Sequence, residues 1–286
     1  MCKQALTIEP WSRNARFALA TLYLSIGRFD EGWPLYEFRF LDKDATIRKD
    51  FHAAPWCGEP LSGKSILIIG EQANGDYFHF IRYLEPLARF TGATVTYVGP
   101  KRLEHLLVTS STNAEFLSEL PFGRRFDYQC HLASLPWRFH EKGWPAPSAP
   151  YLAADSQLIE RWSQVIGKHG FRVGVVWQGA IYPGQQSERS FHLHQLFPVA
   201  QVSGVRLISL QIGKGEEQMG SLPLGMVVES LGLDFDTGED GFVDAAAAMA
   251  NLDLVIACDT SLAHLAGGLG KEVWIALNES PEWRWG

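Results

Sequence analysis

Apolar positions in the first part of the chain recur at helical spacing. Phe17, Leu19, Ala20, Leu22 and Tyr23 mark one face, Gly27-Arg28-Phe29-Asp30 interrupts it, and Trp33, Leu35, Tyr36, Phe38 and Phe40 mark a second. The pattern predicts two short helices around a glycine turn; Pro34 is unusual there, because proline fits only near a helix's first turn. From Pro60 the pattern changes to short apolar runs. Ser65–Gly70 reads as a parallel strand buried on both faces, the loop EQANGD follows, Tyr77–Phe90 reads as helix and Ala93–Gly99 as the next strand. That is a βαβ unit. Phe126–Cys130 reads as a third strand, and Pro145, Pro147 and Pro150 mark a linker. Beyond it the strands are Arg172–Trp177, Val205–Gln211, Gly225–Glu229, Leu252–Ala257 and Glu272–Leu277, with helical patterns between most of them. This alternation predicts an α/β protein with doubly wound sheets, whose ligands bind at the carboxyl ends of strands.

Two Rossmann-type domains are therefore expected, over 60–150 and 165–286, with a cleft between them and a helical segment over 1–50 in front. The length of 286 residues fits that division, and 46% hydrophobic residues supply a core. A formal charge of −7 lacks the basic excess of a nucleic-acid surface, so no nucleic-acid partner is expected. Cys2, Cys57, Cys130 and Cys258 lie far apart with no CxxC pair, which suits a reducing compartment. No apolar run reaches the roughly 18 residues of a membrane helix, and no signal peptide opens the chain, so a cytoplasmic protein without an integral membrane segment is expected. The set Leu19-Ala20-x-x-Tyr23, Gly27, Gly32 and Tyr36 resembles a tetratricopeptide repeat, where small residues let two helices pack closely. Residues 4–10 look like the tail of a preceding repeat, and Ala5–Arg39 spans one repeat of about 34 residues. About three repeats are normally needed to bury a solenoid face, so either the parent protein is longer or this hairpin docks on the next domain. A plain helical hairpin is the other reading of the same pattern.

The strongest local chemistry is in the segment Leu252–Gly267. A buried strand ends at Cys258, and Asp259-Thr260-Ser261, all good N-cap types, open a helix whose first-turn N–H groups point into the cleft. That is an anion site by geometry, suited to a diphosphate, and His264 one turn in can donate to a phosphate oxygen. Equally, Asp259 can simply cap and His264 simply pack. Asp234-Phe235-Asp236 spells a DxD metal motif, but its acidic surroundings (Glu239, Asp240) read as a solvated loop. His192 and His194 read as surface residues, no His/Cys cluster has zinc spacing, and no GxSxG or Walker loop occurs.

The segment DTSLAHLAGGLGKEVWIAL, with PEWRW after it, resembles the C-terminal signature of heptosyltransferase-like glycosyltransferases (family 9 type) of the GT-B fold, in particular the bacterial branch carrying tetratricopeptide repeats. Gly70–Leu84 resembles that branch's GEQGLGD-x-x-x-F-x-R-Y-L motif on the other domain. The resemblance implies a GT-B-like pair of Rossmann-type domains and metal-independent transfer of a hexosyl or heptosyl group from a nucleotide-sugar donor, with no other cofactor. It implies Asp76 as general base taking the acceptor hydroxyl's proton, although an aspartate at a loop-to-helix junction can also be a cap. Ser187-Glu188-Arg189-Ser190 resembles the family's arginine-serine segment; Arg189 would offset charge on the leaving nucleotide in place of a metal, or be simply solvated. Gly75, Gln178, Ser190 and Gln211 join Asp259, Thr260, Ser261 and His264 as donor contacts. The repeat points to a protein acceptor or partner. The family's glycine-leucine pair is Ala73-Asn74 here, so that loop is expected to lose one permissive residue. The chain stops at Gly286 soon after its last strand, where GT-B proteins continue into a helix that braces the first domain, so the second domain reads as truncated. Two other functions fit the same fold: a non-catalytic scaffold and a nucleotide-sugar epimerase.

Overall fold

Strands buried on both faces leave unbroken apolar runs, and those runs anchor both sheets. The structure is a computed structural model describing residues 2–39, 51, 53–110, 113–180 and 189–285; Phe40, Ser187 and Glu188, singled out above, lie outside these. The chain opens with α1 (Cys2–Ile8), α2 (Arg13–Ser25) and α3 (Phe29–Tyr36). α2 and α3 pack on each other around Gly27, and a Cβ on Gly32 would lie 2.7 Å from Leu24 Cδ2, so a larger side chain there would hold the helices apart. α3 runs through Pro34 for two residues and then tightens into a 3-10 turn, Glu37–Arg39.

The first sheet holds β1 (Ala54–Pro55), β2 (Ser65–Ile69), β3 (Thr94–Val98), β4 (Ala114–Leu117) and β5 (Tyr128–His131), in the order β1-β5-β2-β3-β4, all parallel. Its helices are α4 (Asn74–Phe80), α5 (Leu84–Thr91), α6 (Glu104–Thr109) and α7 (Leu135–Glu141). The single helix expected over Tyr77–Phe90 is thus two, joined by a 3-10 turn at Ile81–Tyr83. Pro86 explains the break: it has no N–H to give the carbonyl of Arg82.

The proline-rich linker is pinned to the second domain, where Tyr151 and Leu152 both donate to the carbonyl of Gly268. α8 (Ser156–Ile166) precedes β6 (Phe171–Val176), α9 (Phe197–Ala200), β7 (Val205–Ser209), β8 (Val228–Glu229), α10 (Val243–Ala250), β9 (Leu254–Cys258), α11 (Ser261–Gly268) and β10 (Val273–Ala276). The sheet order is β10-β9-β6-β7-β8, again all parallel. The buried alanine row of α10 lets α8 pack close, and Trp162 Nε1 donates to Asp244 at 2.7 Å.

In both sheets the chain reverses its direction of growth beside the first long strand, between β2 and β5 and between β6 and β9. Such reversals open a crevice at the carboxyl ends. The loops after β2 and β9 meet across that crevice. One continuous core joins the sheets to α2 and α3, and it includes Trp283 from a 3-10 turn at Trp283–Trp285. Trp283 packs edge-on to Trp33 (5.4 Å) and Tyr36 (5.3 Å) and stacks near Phe80 (6.2 Å). Trp283–Trp285 thus packs on both the helical hairpin and the first domain. The hairpin docks on the first domain, one of the two outcomes expected. Among the described residues no helix is long and apolar enough to cross a membrane.

Candidate active site

The first wall is the loop between β2 and α4. Gln72 takes the left-handed conformation (φ 69°), while Ala73 is extended (φ −100°, ψ 171°). Any residue adopts the Ala73 conformation, so the missing glycine at 73 costs the backbone nothing, contrary to the expectation of a lost permissive residue. Asp76 accepts the Ala73 N–H at 3.1 Å, which is the return half of a capping box, since alanine has no side-chain acceptor for the other half. Its other carboxylate oxygen meets Arg284 at 2.5 Å, with the two side chains only 13% and 12% exposed. Burial raises the Asp76 carboxyl above its ordinary value and the Arg284 guanidinium pulls against that rise.

Buried charge fixes this loop from beneath. Arg39 grips Glu71 with two hydrogen bonds, 2.9 and 2.8 Å, and reaches Ser134 Oγ at 2.7 Å. Glu71 also accepts the Ala133 N–H at 3.0 Å. Burial alone would push the Glu71 carboxyl up, but Arg39 overrides it and holds the group below its ordinary value. Gln72 Nε2 donates to the Tyr36 hydroxyl at 3.3 Å. The helical hairpin is therefore wired to the loop that carries Asp76.

The second wall is the turn from β9 into α11. Thr260 is the N-cap residue (φ −149°, ψ 167°) but makes no side-chain bond to the first turn. Asp259 does not cap either; its carboxylate faces Arg189 at 3.6 Å. Among the described residues no side chain caps this helix terminus, which keeps its partial positive charge. His264 is buried, stacked face-on with Trp285 (4.1 Å, 12°) and edge-on with His79 (5.2 Å). Burial, with Arg284 and Arg82 nearby, lowers its midpoint to about 3. The imidazole is neutral at physiological pH and has one N–H to offer. It both packs and lines the cleft. Across it, a Cβ on Gly75 would lie 3.0 Å from His264 Cδ2 and 3.6 Å from Ser261 Cα. Glycine at 75 thus serves the close approach of α4 to α11, not a left-handed turn.

Between the walls is a cavity of about 160 Å³, lined by Gly75, Asp76, Arg189, Asp259, Thr260, Ser261 and His264, with Glu282 and Arg284 from the C-terminal segment. Seven of the ten residues expected from the sequence meet here. Ser190, Gln178 and Gln211 do not. Ser190 Oγ accepts the Gly179 N–H at 3.0 Å and so holds the loop after β6. The Gln211 side chain accepts from Trp177 and Gln178 N–H and donates to the carbonyls of Gln178 and Lys214, which spends its amide on the backbone. Gln178 and Gln211 line an adjoining cavity of about 320 Å³ that shares Gly179, Thr260 and Ser261 with the first.

Asp236 departs from the solvated-loop reading: it is partly buried, left-handed (φ 52°) and accepts the Phe242 N–H at 3.2 Å, while Phe235 is buried edge-on against Trp162. Among the described residues no group of three His, Cys, Asp or Glu is placed to hold a metal. His192 and His194 are exposed, their rings stacked at 5.5 Å. The sequence reading gave no role to Arg284, Glu282, Arg39 or Glu71. The PEWRW string was the available signal for Arg284 and Glu282; the Arg39–Glu71 pair leaves no local spacing to read.

No family model matches the chain. It is 28% identical over 291 residues to Protein FlbA of Caulobacter vibrioides, an alignment covering 93% of this chain and 48% of that protein. The chain thus spans about half the length of this curated relative. Among solved structures it is similar to a glycosyl transferase family 9 protein from Veillonella parvula, with TM-score 0.57 and 12% identity over 78% of this chain and 83% of that one. It is also similar to ADP-heptose LPS heptosyltransferase II of E. coli, with TM-score 0.51 and 14% identity over 74% and 84% of the two chains. E. coli heptosyltransferase WaaC, solved with ADP-2-deoxy-2-fluoro heptose, gives TM-score 0.51 and 13% identity over 76% and 89%. The fold is that of the heptosyltransferase-like, GT-B glycosyltransferases, as the sequence motifs implied.

Proposed function

We propose that this chain transfers a sugar from a nucleoside-diphosphate sugar to a hydroxyl of a protein or glycan, without a metal ion. One observation carries the reading. A largely covered carboxylate, Asp76, faces an uncapped helix terminus and Arg189 across one cavity at the meeting of two sheet switch points. The acceptor hydroxyl gives its proton to Asp76 while its oxygen attacks the anomeric carbon. The bond from that carbon to the diphosphate oxygen breaks, and its electron pair leaves with the diphosphate. The first-turn N–H groups of α11 and the Arg189 guanidinium receive that charge. Asp259 holds Arg189 over the terminus, and its carboxylate can accept a hydroxyl of the donor. The nucleoside would extend into the adjoining cavity, past Gln178 and Gln211. The ADP-sugar analogue bound to the similar E. coli WaaC supports the donor class. The docked hairpin supports a protein acceptor, by analogy with repeats that present surfaces to peptides. Four free cysteines support a reducing, cytoplasmic setting.

The test is release of nucleoside diphosphate from a panel of nucleotide sugars, with and without hydroxyl acceptors, by the unmutated chain and Asp76→Ala. Acceptor-dependent release that Asp76→Ala abolishes, with donor binding retained, supports transfer. Sugar isomerisation without an acceptor would instead make the protein an epimerase, and donor binding without turnover a scaffold.

A further inference from the structure

We infer that Arg284 is the positioning residue for the proposed base: the C-terminal turn carries it across the chain to orient the Asp76 carboxylate and hold it ionised. The inference rests on the proposed role of Asp76, but its geometry stands apart from any substrate. Arg284 Nη2 meets Asp76 Oδ1, the Tyr36 hydroxyl (3.2 Å) and Gln72 Oε1 (3.1 Å), while Nη1 pairs with Glu282. Its guanidinium lies over the Trp283 ring at 4.8 Å. The fork is thus aimed by four groups from three separate stretches of chain, and the carboxylate it meets is already fixed on its other oxygen by the Ala73 N–H.

The electrostatic surroundings make the cation necessary for the chemistry. Asp76 is largely covered, and the other charged or titratable groups that face it are mostly unhelpful to a carboxylate. Glu282 and Glu71 both raise it, and Tyr36 and Tyr77 are neutral neighbours. His264, across the cavity, is neutral, and Arg189 is largely exposed and faces Asp259. Arg284 is the first of the groups that lower it, followed by the Ala73 N–H. Without it, burial and two carboxylates would leave the base protonated to higher pH.

Carboxyl-carbon NMR titration of Asp76 tests this without any substrate. Arg284→Met should move the Asp76 midpoint upward by about one pH unit or more, and Arg284→Lys should restore most of the difference. In a transfer assay the acid limb of kcat/KM should move by the same amount, which a merely structural loss would not produce. An unchanged Asp76 midpoint in folded Arg284→Met overturns the inference. Should that variant fail to fold, the unmutated protein decides: the Arg284 guanidinium nitrogens must titrate with the Asp76 midpoint, and signals that ignore it overturn the inference equally. If the midpoint moves but no nucleotide sugar is ever turned over, the positioning stands and the transferase reading fails.

Discussion

The two walls of the cleft are built on opposite principles. On the first, the side chains around Asp76 are cross-linked: Glu71 to Arg39 and Ala133, Gln72 to Tyr36 and Arg284, Asp76 to Ala73 and Arg284. On the second, among the described residues, the α11 terminus has no side-chain cap, and Arg189, 57% exposed, has a long contact of 3.6 Å to Asp259. In the proposed function the difference separates two tasks. A base must hold one geometry through proton transfer, so its wall is fixed in advance at the cost of buried charge. An anion site must release its product, so its donors stay unspent until the ligand arrives.

The comparison breaks first at the base. Asp76→Asn should lower the transfer rate about 10²–10⁴-fold while leaving calorimetric donor binding within about twofold; a large loss of binding would move Asp76 to the donor's side. On the same wall, Arg39→Met leaves Glu71 buried and uncompensated. It should cost about 3–5 kcal/mol in denaturant unfolding, because both partners are nearly inaccessible. Arg189→Ala should cost the second wall much less. Nucleoside-diphosphate affinity should fall about tenfold, consistent with one exposed charge-assisted contact, with the melting temperature of the free protein unchanged.

Where the walls touch, His264 sets an acid limit. Its folded midpoint lies near 3 against an ordinary 6.5, so the unfolded chain binds a proton between those values that the folded chain refuses. Its contribution to stability is therefore full above 6.5 and is lost as pH falls toward 3, by about 1.4 kcal/mol per pH unit. Unfolding midpoints measured from pH 7.5 to 5 should show a shallower acid loss in His264→Gln. The smallest effect is expected at the loop's departure from the family motif. Ala73→Gly should change stability by less than about 1 kcal/mol and transfer by less than about twofold, because residue 73 needs no left-handed backbone.

What could be read from the sequence follows the same division. β2, β6 and β9 were legible because strands covered on both faces are unbroken apolar runs. β1 is two residues long, and β4 is a half-buried edge strand reading Ala-Glu-Phe-Leu, so neither left a periodic signal. The α11 turn was visible as a strand running into cap-type residues, and Asp76 as part of a contiguous motif. The groups that fix Asp76 were not visible. Arg39 and Arg284 act through partners distant in sequence, and only the fold reveals that pairing. Gln211 fell between the two cases: its place at a strand end was legible, but its engagement with four backbone groups was not.

In the proposed function the second wall waits for a nucleoside diphosphate. The most direct test is calorimetric titration of the unmutated chain with nucleoside diphosphates and their sugar conjugates. Saturable binding of one nucleotide family, competing for a single site, is the predicted result. No binding of any nucleoside diphosphate at millimolar concentration would contradict it, and would leave the α11 terminus as an ordinary helix end.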